Sequence, residues 1–459
     1  MKTEARITSA TDSDDEIDPI VEKSLLRRLD LIVLPTLALL YLTHTLDRAN
    51  LGNAKTDSIE KDLHLVGNQY SLVLIFFYVP YALFNIPATI LANRFSPSIV
   101  VPLLVIGWGA LAMITVAVKN FGGLLACRLI LGIMEAGFMP CATFYCTLFY
   151  TRKELAVRLA VFYIMGYIAG AISGLIAWST FQWDGALKGW QYLFLIEGAM
   201  GVGTGVWAFI VLPRDIQSSR YFTPAQKICA AQRKANEVSV VSWTQGLTIL
   251  KDGKLWIFAA ALFFCGVGSN SSSNFLPVMV NRLTDNSVKA NLYTIGPNLF
   301  AAVNMSVLAW LSDKTQQRGY FTIWSIIWAL IGWVLFAALD VTKQVNVGYF
   351  FTFLIVSGTF IPVLFLPAWI SANIKVTSER AVALGLMSMC QNLGGIVSSG
   401  VYRSQDAPNY RPALITVSCC LFVCLGLCTY LRFAYARLNT KLADSEKPDR
   451  LPAGEKYMV

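Results

Sequence analysis

Residues 31–53 read LIVLPTLALLYLTHTLDRANLGN, an apolar run that passes directly into a polar one. Sixteen residues separate Asp30 from Asp47. As a helix they span about 24 Å, which is less than the roughly 30 Å of hydrocarbon in a bilayer. A membrane-crossing helix must therefore continue through the polar part. It would carry Asp47, Arg48 and Asn50 to bilayer depth, where such groups are tolerated only against protein or a water-filled cavity.

Apolar runs of similar length recur along the whole chain. Of its 459 residues, 55% are hydrophobic and 14% are charged, against roughly 25% charged residues in a soluble domain. Because only a helix satisfies its own backbone in lipid, the sequence predicts an all-α polytopic membrane protein. The twelve predicted transmembrane helices cover 29–54, 69–92, 98–118, 122–148, 156–180, 190–212, 256–281, 290–312, 320–340, 347–371, 378–402 and 413–434.

The longest polar interior stretch divides these helices into two groups of six. A weak repeat supports two pseudo-symmetric six-helix bundles, because TILANR at 89–94 is echoed by AWLSDK at 309–314. The predicted organisation is a disordered cytosolic tail at 1–28, an N-terminal bundle at 29–212, a cytosolic central loop at 213–254, a C-terminal bundle at 255–434 and a cytosolic tail at 435–459.

The distribution of positive charge predicts the orientation. Most of the 37 Lys and Arg residues lie on the side of the N-terminus, and positively charged loops favour the cytosol. Both termini are therefore predicted to be cytosolic. The net charge of +9 is scattered through the loops, so it does not indicate nucleic-acid binding. We expect a monomer whose partners are the lipid bilayer, a small substrate and protons.

The fourth predicted helix offers partners for the polar part of the first. Arg128 and Glu135 are seven residues apart and so share one helix face, about 10 Å apart along the axis. The charges of Asp47 and Arg48 lie within reach of such a face. One hypothesis is that Asp47 or Glu135 exchanges a proton during transport while an arginine binds a substrate carboxylate.

Two alternatives to this hypothesis stay open at the level of sequence. In one, Asp47 and Arg48 are interfacial anchors of a short tilted helix; in the other, they form a structural ion pair with the fourth helix. His44 lies one turn before Asp47 and is a further candidate for substrate contact, together with Asn50, although a lone histidine is usually only hydrogen-bonded. Glu197 is either a proton relay or a packed partner of a neighbouring group.

The chain lacks the sequence motifs of several other classes of protein. With only His44 and His64, the chain has no clustered ligands for a histidine-box metalloenzyme. No GxxxxGK[ST] occurs, which argues against an ATP-driven pump. Cys420, Cys424 and Cys428 form a stripe without an accompanying histidine or carboxylate. We therefore predict neither an enzyme nor a metal or cofactor, while a non-transporting receptor on the same fold stays open.

Three stretches of the sequence resemble one family. They are LDRANLGNAK at 46–55, RLILGIMEAGFMP at 128–140 and NIKVTSERAVALGLMSMCQNLGGIVSSGVYRSQDAPNY at 373–410. Together they resemble the anion:cation symporters of the major facilitator superfamily, and most of all the fungal allantoate-permease-like branch, over about residues 25–435. The resemblance implies alternating access and proton-coupled uptake of a small organic anion, such as a carboxylate vitamin or a nitrogen-containing acid, at a fungal plasma membrane.

The resemblance also assigns roles to individual residues. Asp47 and Glu135 match acidic residues of proton coupling, Arg48 matches a substrate-carboxylate contact, and Arg128 matches the arginine of the fourth helix. In the second bundle it suggests cavity positions at Asn373, Gln391 and Asn392. The superfamily's GxxxDR pattern is incomplete after the second helix, where Arg94 remains, whereas its second-half counterpart keeps Asp313, Lys314 and Arg318 as gating residues.

These observations predict a secondary active carrier. We expect proton-coupled uptake of a small organic anion. Export of an acidic secondary metabolite on the same fold is the alternative, because the fold and the proton site do not fix the direction of transport.

Overall fold

The computed structural model describes residues 18–150, 152–235, 246–284, 286–339, 343–374, 376–444 and 458, and regular structure within them is helical. Spans one to six are Pro19–Thr56, Gln69–Phe95, Pro97–Thr115, Phe121–Ala136 with Phe138–Thr147, Arg152–Thr180 and Gly189–Val211. Spans seven to twelve are Gly253–Asn281, Ser287–Tyr293 with Ile295–Thr315, Arg318–Ala338, Val345–Thr359 with Ile361–Asn373, Thr377–Val401 and Arg411–Asp444.

The described helices confirm the predicted twelve-helix membrane fold. Ten of them are long and apolar enough to cross a membrane. Shorter apolar segments, Gln69–Asn85 and Ile164–Thr180, lie within spans two and five. An even number of spans puts Pro19 and Asp444 on one side of the molecule. We call this the terminal side, and we call the opposite side, where span one ends at Thr56, the far side.

The helices of each half pack on one another, and the two halves also contact each other. In the first half, span three packs on span six, span one on span five and span two on span four. In the second half, span seven packs on spans eleven and twelve, and span nine packs on spans ten and twelve. The halves meet where span one contacts seven, two contacts eleven and five contacts eight. Each half has its own apolar core.

Spans one and twelve are longer than their sequence predictions. Span one begins at Pro19, because the Asp18 carboxylate accepts the backbone N–H of Ile20 at 2.9 Å and a proline suits the first turn. Residues 19–28 are therefore helix and not a disordered tail. Span twelve continues to Asp444, ten residues beyond its predicted end, where Leu438 still packs on the second core. Residues 1–17 and 445–457 lie outside the described part of the chain.

Part of the predicted central loop is a helix docked on the first bundle. Pro224–Ala235 is helical, and its Arg233 pairs with Glu22 at 3.3 Å and with Glu154 at 2.6 Å. A short 3-10 turn at Leu247–Lys251 precedes span seven. The intervening residues 236–245 are outside the described part.

Span four is broken at a glycine, which the sequence prediction of one helix over 122–148 does not include. The first segment ends at Ala136 and the second begins at Phe138. A Cβ atom on Gly137 would overlap that of Ala88 in span two, so the close approach of the two spans requires glycine. This approach holds Glu135 at the end of the first segment, beside span one.

Candidate functional site

The polar part of span one is helical and buried. Span one has 38 residues, about 57 Å of helix, and runs on through the LDRANLGN stretch, as its length requires. Only 4% of Asp47, 3% of His44 and none of Asn50 is exposed. This burial does not fit a pair of interfacial anchors. The side chains instead face spans four, five and six.

Glu135 of span four is the centre of the site. Its side chain is completely buried, and its Oε2 lies 3.3 Å from Nε2 of His44 and 3.6 Å from Nε of Arg48. Both distances join atoms that face each other without good hydrogen-bond geometry, since neither Glu135 oxygen has a hydrogen-bond partner among the described residues. The carboxyl group therefore faces both cations without a hydrogen bond to either, and the Asp47 carboxyl lies beside it.

Arg128 supplies a second cation from the same helix face. It is 5% exposed, and its guanidinium lies 5.7 Å from the ring centre of Phe194. It is within electrostatic range of both Asp47 and Glu135. The seven-residue spacing to Glu135 therefore brings both charges to span one.

Glu197 of span six joins the same group, although the sequence left its role open. It is 4% exposed, and its Oε1 accepts a hydrogen bond from Oγ of Ser173 at 3.1 Å. Ser173 in turn accepts from Nδ2 of Asn53 at 2.7 Å, and Asn50 donates to Oδ1 of Asp47 at 3.3 Å. We call the three carboxyl groups and two guanidinium groups the charged cluster: Asp47, Glu135, Glu197, Arg48 and Arg128.

Many polar atoms in and beside the charged cluster have no hydrogen-bond partner within the described chain. They are both ring nitrogens of His44, Oδ2 of Asp47, Nη2 of Arg48, Oδ1 of Asn50, both oxygens of Glu135 and Oε2 of Glu197. An unpaired buried polar atom costs about 1–3 kcal/mol. Such a concentration is typical of a site that binds polar ligands, water or protons.

Aromatic rings surround the charged cluster. The guanidinium carbon of Arg48 lies 4.9 Å from the ring centre of Tyr81 and 5.4 Å from that of Phe77. The ring of His44 stacks on Phe138 at 5.0 Å. The sequence does not single out these aromatic residues, because an aromatic ring on an apolar helix fits against lipid and against a polar site equally well.

The second bundle reaches the site through polar residues of span seven. The Tyr78 hydroxyl, beside Arg48, donates to Oδ1 of Asn270 at 2.8 Å and accepts from Nδ2 of Asn274 at 3.0 Å. Both asparagines belong to the run SNSSSN at 269–274. Its unusual polarity within an apolar span was a usable signal for this contact.

The far side is closed by further contacts between the bundles. Nδ2 of Asn291 donates to Oγ1 of Thr56 at 2.9 Å, and Oγ of Ser71 donates to the carbonyl oxygen of Tyr402 at 2.8 Å. Apolar residues of both bundles form one cluster there, including Phe275 stacked on Tyr402 at 3.9 Å. These contacts must separate before the site can open to the far side.

A buried lysine belongs to the same closure. Nζ of Lys55 lies 4.0 Å from the ring centre of Tyr70 and 5.6 Å from that of Tyr410, and it pairs with Glu60 at 3.6 Å. Burial raises the pKa of Tyr410, in the loop before span twelve, to about 12. The ring therefore stays neutral at physiological pH and faces the ammonium as a π-surface.

The remaining predicted residues lie in the second bundle or at helix ends. Asn392 is 8% exposed and donates to the carbonyl of Ser388, while the backbone of Gln391 accepts from Asn270 at 3.3 Å. The side chain of Asn373 lies away from the charged cluster, because it ends span ten on the terminal side. There its Nδ2 donates to the carbonyl of Met458 at 3.1 Å.

The predicted gating residues are also on the terminal side. Arg94 is exposed at the end of span two, with its guanidinium 5.6 Å from the ring of Phe95. Arg318 donates to Asp313 at 3.0 Å and to the carbonyl of Ala368 at 2.8 Å. The exposed Lys314 lies 5.1 Å from the ring of Trp310. These contacts are local to each bundle, so the gating role stays a prediction.

Comparisons with known proteins cover most of the chain. The sequence profile of the Major Facilitator Superfamily matches residues 37–399. The major facilitator-type transporter hxnP of Emericella nidulans is 39% identical, with 96% of this chain and 90% of the relative covered. The MFS-type transporter efuF of Hormonema carpetanum is 38% identical, with 95% and 90% covered. The high-affinity nicotinic acid transporter of Saccharomyces cerevisiae is 28% identical, with 96% and 84% covered.

The fold itself is similar to that of solved transporters. A bacterial homolog of the human lysosomal transporter Spinster, in an inward-facing and unoccupied conformation, superposes with a TM-score of 0.67 at 15% identity. The superposition covers 91% of this chain and 98% of that structure.

Proposed function

Because the chain belongs to the Major Facilitator Superfamily, whose relatives here are membrane transporters and not enzymes, we propose that it takes up a small organic anion together with protons by alternating access. The observation that carries this proposal is the buried Glu135 carboxyl between His44 and Arg48, at ion-pair distance and without a hydrogen bond among the described residues. We further propose a plasma-membrane monomer with cytosolic termini, in the anion:cation symporter family and its allantoate-permease-like branch.

Arg48 is the proposed contact of the substrate anion. Its side chain is 21% exposed, whereas the side chain of Glu135 is fully buried, so Arg48 is the member of this pair that a ligand reaches. Its Nη2 has no partner within the described chain. A guanidinium group binds a carboxylate with two parallel hydrogen bonds, which compete with Glu135 for the same cation. The flanking rings of Phe77 and Tyr81 suit a flat acid.

The charges of the cluster explain why a proton would travel with the anion. Two guanidinium groups face three carboxyl groups, Arg48 and Arg128 against Asp47, Glu135 and Glu197. One proton held by the carboxyl groups neutralises the empty cluster. An entering anion adds one negative charge, and a net charge is costly in a low-dielectric interior. A second proton, taken up by the carboxyl that the anion displaces from Arg48, restores neutrality.

Uptake of labelled organic acids by a transport-deficient yeast tests this function. Nicotinate is the first acid to try, because a relative bears the name of a nicotinic acid transporter. We expect accumulation that is stronger in acidic than in neutral medium and is abolished by a protonophore. Cells with the empty vector provide the control.

Two results would overturn the proposal. Accumulation that ignores the protonophore would remove proton coupling. Lower cell content of an acid in expressing cells, with the protein at the cell surface, would establish export.

A further inference from the structure

Tyr78 of span two is held by the second bundle at its hydroxyl and at its ring. The hydroxyl donates to Oδ1 of Asn270 at 2.8 Å and accepts from Nδ2 of Asn274 at 3.0 Å, both in span seven. The ring lies on the backbone of span eleven, where a Cβ atom on Gly395 would overlap it. Only 3% of Tyr78 is exposed. A side chain of the first bundle is therefore seated between two helices of the second.

The asparagines that bind Tyr78 are buried, and one of them is fixed by further hydrogen bonds. Nδ2 of Asn270 donates to the carbonyl of Gly266 at 2.8 Å and to that of Gln391 in span eleven at 3.3 Å. These bonds keep Oδ1 of Asn270 turned toward Tyr78. Asn270 is 8% exposed and Asn274 is 5% exposed. Because a buried amide atom without a hydrogen bond is costly, both amides need either the Tyr78 hydroxyl or water.

This contact lies deeper than the other contacts between the bundles. Tyr78 comes nine residues after Gln69, where span two begins on the far side, which is about 14 Å along the helix. Thr56 and Asn291 instead meet at the end of span one. The ring centre of Tyr78 is 5.7 Å from the guanidinium carbon of Arg48. The contact therefore adjoins the charged cluster, beneath the contacts at the helix ends.

We propose that Tyr78 is a positioning residue for transport, whose hydroxyl holds the second bundle over the charged cluster and so sets how often the site opens to the far side. We call Tyr78, Asn270 and Asn274 the inner gate. When the far side opens, spans seven and eleven withdraw from span two, and Tyr78 leaves both asparagines. Water then takes its place on the two amides. The inference rests on the alternating access proposed above and assigns a gate to it.

The two hydrogen bonds of the inner gate give the effect of a substitution a definite sign, since they exist only while the far side is closed. Tyr78→Phe keeps the ring on span eleven and beside Arg48 but removes the hydroxyl. The closed state then buries two unpaired amide atoms, whereas the open state exposes them to water. We therefore expect the population open to the far side to rise about tenfold or more.

The rate at which a membrane-impermeant thiol reagent reaches the charged cluster from the far side tests the inner gate. Ser173→Cys places a thiol at the cluster, because Ser173 is fully buried beside Glu197. Asp184→Cys lies in the exposed loop between spans five and six. Its labelling identifies the preparation, intact cells or inside-out vesicles, in which the reagent meets the far side. The protein without either change gives the labelling rate of the native cysteines, and no substrate is added.

Tyr78→Phe should accelerate the labelling of Ser173→Cys about tenfold or more. Asn274→Ala removes one of the two bonds, so it should accelerate labelling less, and it should not accelerate labelling further in the Tyr78→Phe background. Tyr81→Phe is the matched control and should leave the rate unchanged. The Tyr81 ring also lies beside Arg48, at 4.9 Å, but within the described chain no hydrogen bond joins it to the second bundle.

Unchanged labelling in Tyr78→Phe, or equal acceleration in Tyr81→Phe, would overturn the inference. The KM for uptake, measured with the native Ser173, is a second readout. More frequent opening should lower the KM of an acid supplied on the far side, and a raised KM in Tyr78→Phe would instead make Tyr78 a substrate contact and overturn the gate. Because labelling needs no substrate, faster labelling in a protein that fails the yeast assay would refute the proposed function and leave the inner gate in place.

Discussion

At the scale of single residues, Arg48 offers a substrate a positive charge and a planar guanidinium group. Arg48→Lys keeps the positive charge beside Glu135 but loses the planar fork that binds a carboxylate at two points. We expect the KM for uptake to rise about tenfold or more, the equivalent of one charge-assisted hydrogen bond. Surface labelling should find normal amounts of protein. Arg220→Lys, in an exposed loop, is the matched control, and wild-type affinity in Arg48→Lys would refute the substrate contact.

Substitution of Glu135 should affect accumulation of the substrate but not its exchange. Glu135→Gln removes the carboxyl that the substrate is proposed to displace but keeps its size in a completely buried position. We expect the variant to lose accumulation against a gradient, because it takes up no proton with the anion. Exchange of internal for external labelled acid should persist, since that reaction needs no net proton movement. Unchanged accumulation in Glu135→Gln would show that proton coupling lies elsewhere.

The sequence identified the charged residues of the site better than its neutral ones. A charge in an apolar helix is costly wherever it lies, so Asp47, Arg48 and Glu135 could be singled out without a structure. Phe77 and Asn373 could not be placed from the sequence in this way. A phenylalanine is equally stable against lipid or against a guanidinium, and the position of an asparagine at a helix end depends on where the helix stops.

At the scale of secondary-structure elements, small residues set the distance between spans. Gly174 of span five faces span eight, where an added Cβ atom would overlap Oγ1 of Thr294 and lie 2.7 Å from the carbonyl oxygen of Asn291. Overpacking such a contact costs about 1–3 kcal/mol. We therefore expect Gly174→Val to reduce the population closed on the far side about tenfold.

The rate at which a reagent reaches a thiol deep on the far side measures the population that is closed on that side. In an Asn53→Cys variant, the new thiol deep on the far side should react faster with a membrane-impermeant reagent when Gly174→Val is also present. Gly203→Val provides the control, because a Cβ atom there meets nothing within 4 Å. Equal reaction rates in both backgrounds would mean that spans five and eight do not close the far side.

The element boundaries were only partly predictable. Hydropathy located all twelve spans, because each contains an apolar run, although those of spans one, two and five are shorter than the others. It did not locate the ends of spans one and twelve, where polar residues extend the helix past the apolar run. The break at Gly137 was also missed. At that break Gly137 lies against Ala88 of span two, and contacts between distant parts of the chain leave no local pattern.

At the scale of the whole molecule, the proposed alternating access requires the far side to open and close. Thr56 and Asn291 belong to different bundles and lie in hydrogen-bond contact. A disulfide between Thr56→Cys and Asn291→Cys should therefore form under mild oxidation and block uptake. A reductant should restore uptake to the level of the single variants, which retain the same native cysteines. Full uptake by the cross-linked protein would show that this contact does not open during transport.

The presence of two bundles was predictable from the sequence. Their conformation, closed on the far side, was not. The central polar segment and the repeated helix ends indicate two halves. The contacts that close the far side join distant parts of the chain, and Ser71 and Tyr402 are 331 positions apart. A sequence that must support two arrangements of its halves cannot by itself specify one of them.

The balance of two guanidinium groups against three carboxyl groups also has an electrical consequence. An anion that enters with one proton adds no net charge to the moving site. Carrying one elementary charge across a membrane changes the free energy by about 2.3 kcal/mol for every 100 mV. A carrier loaded in this way experiences none of that force. A cell with a negative interior would then not repel the acid it imports, and the acidity of the medium, not the voltage, would set how much of it accumulates.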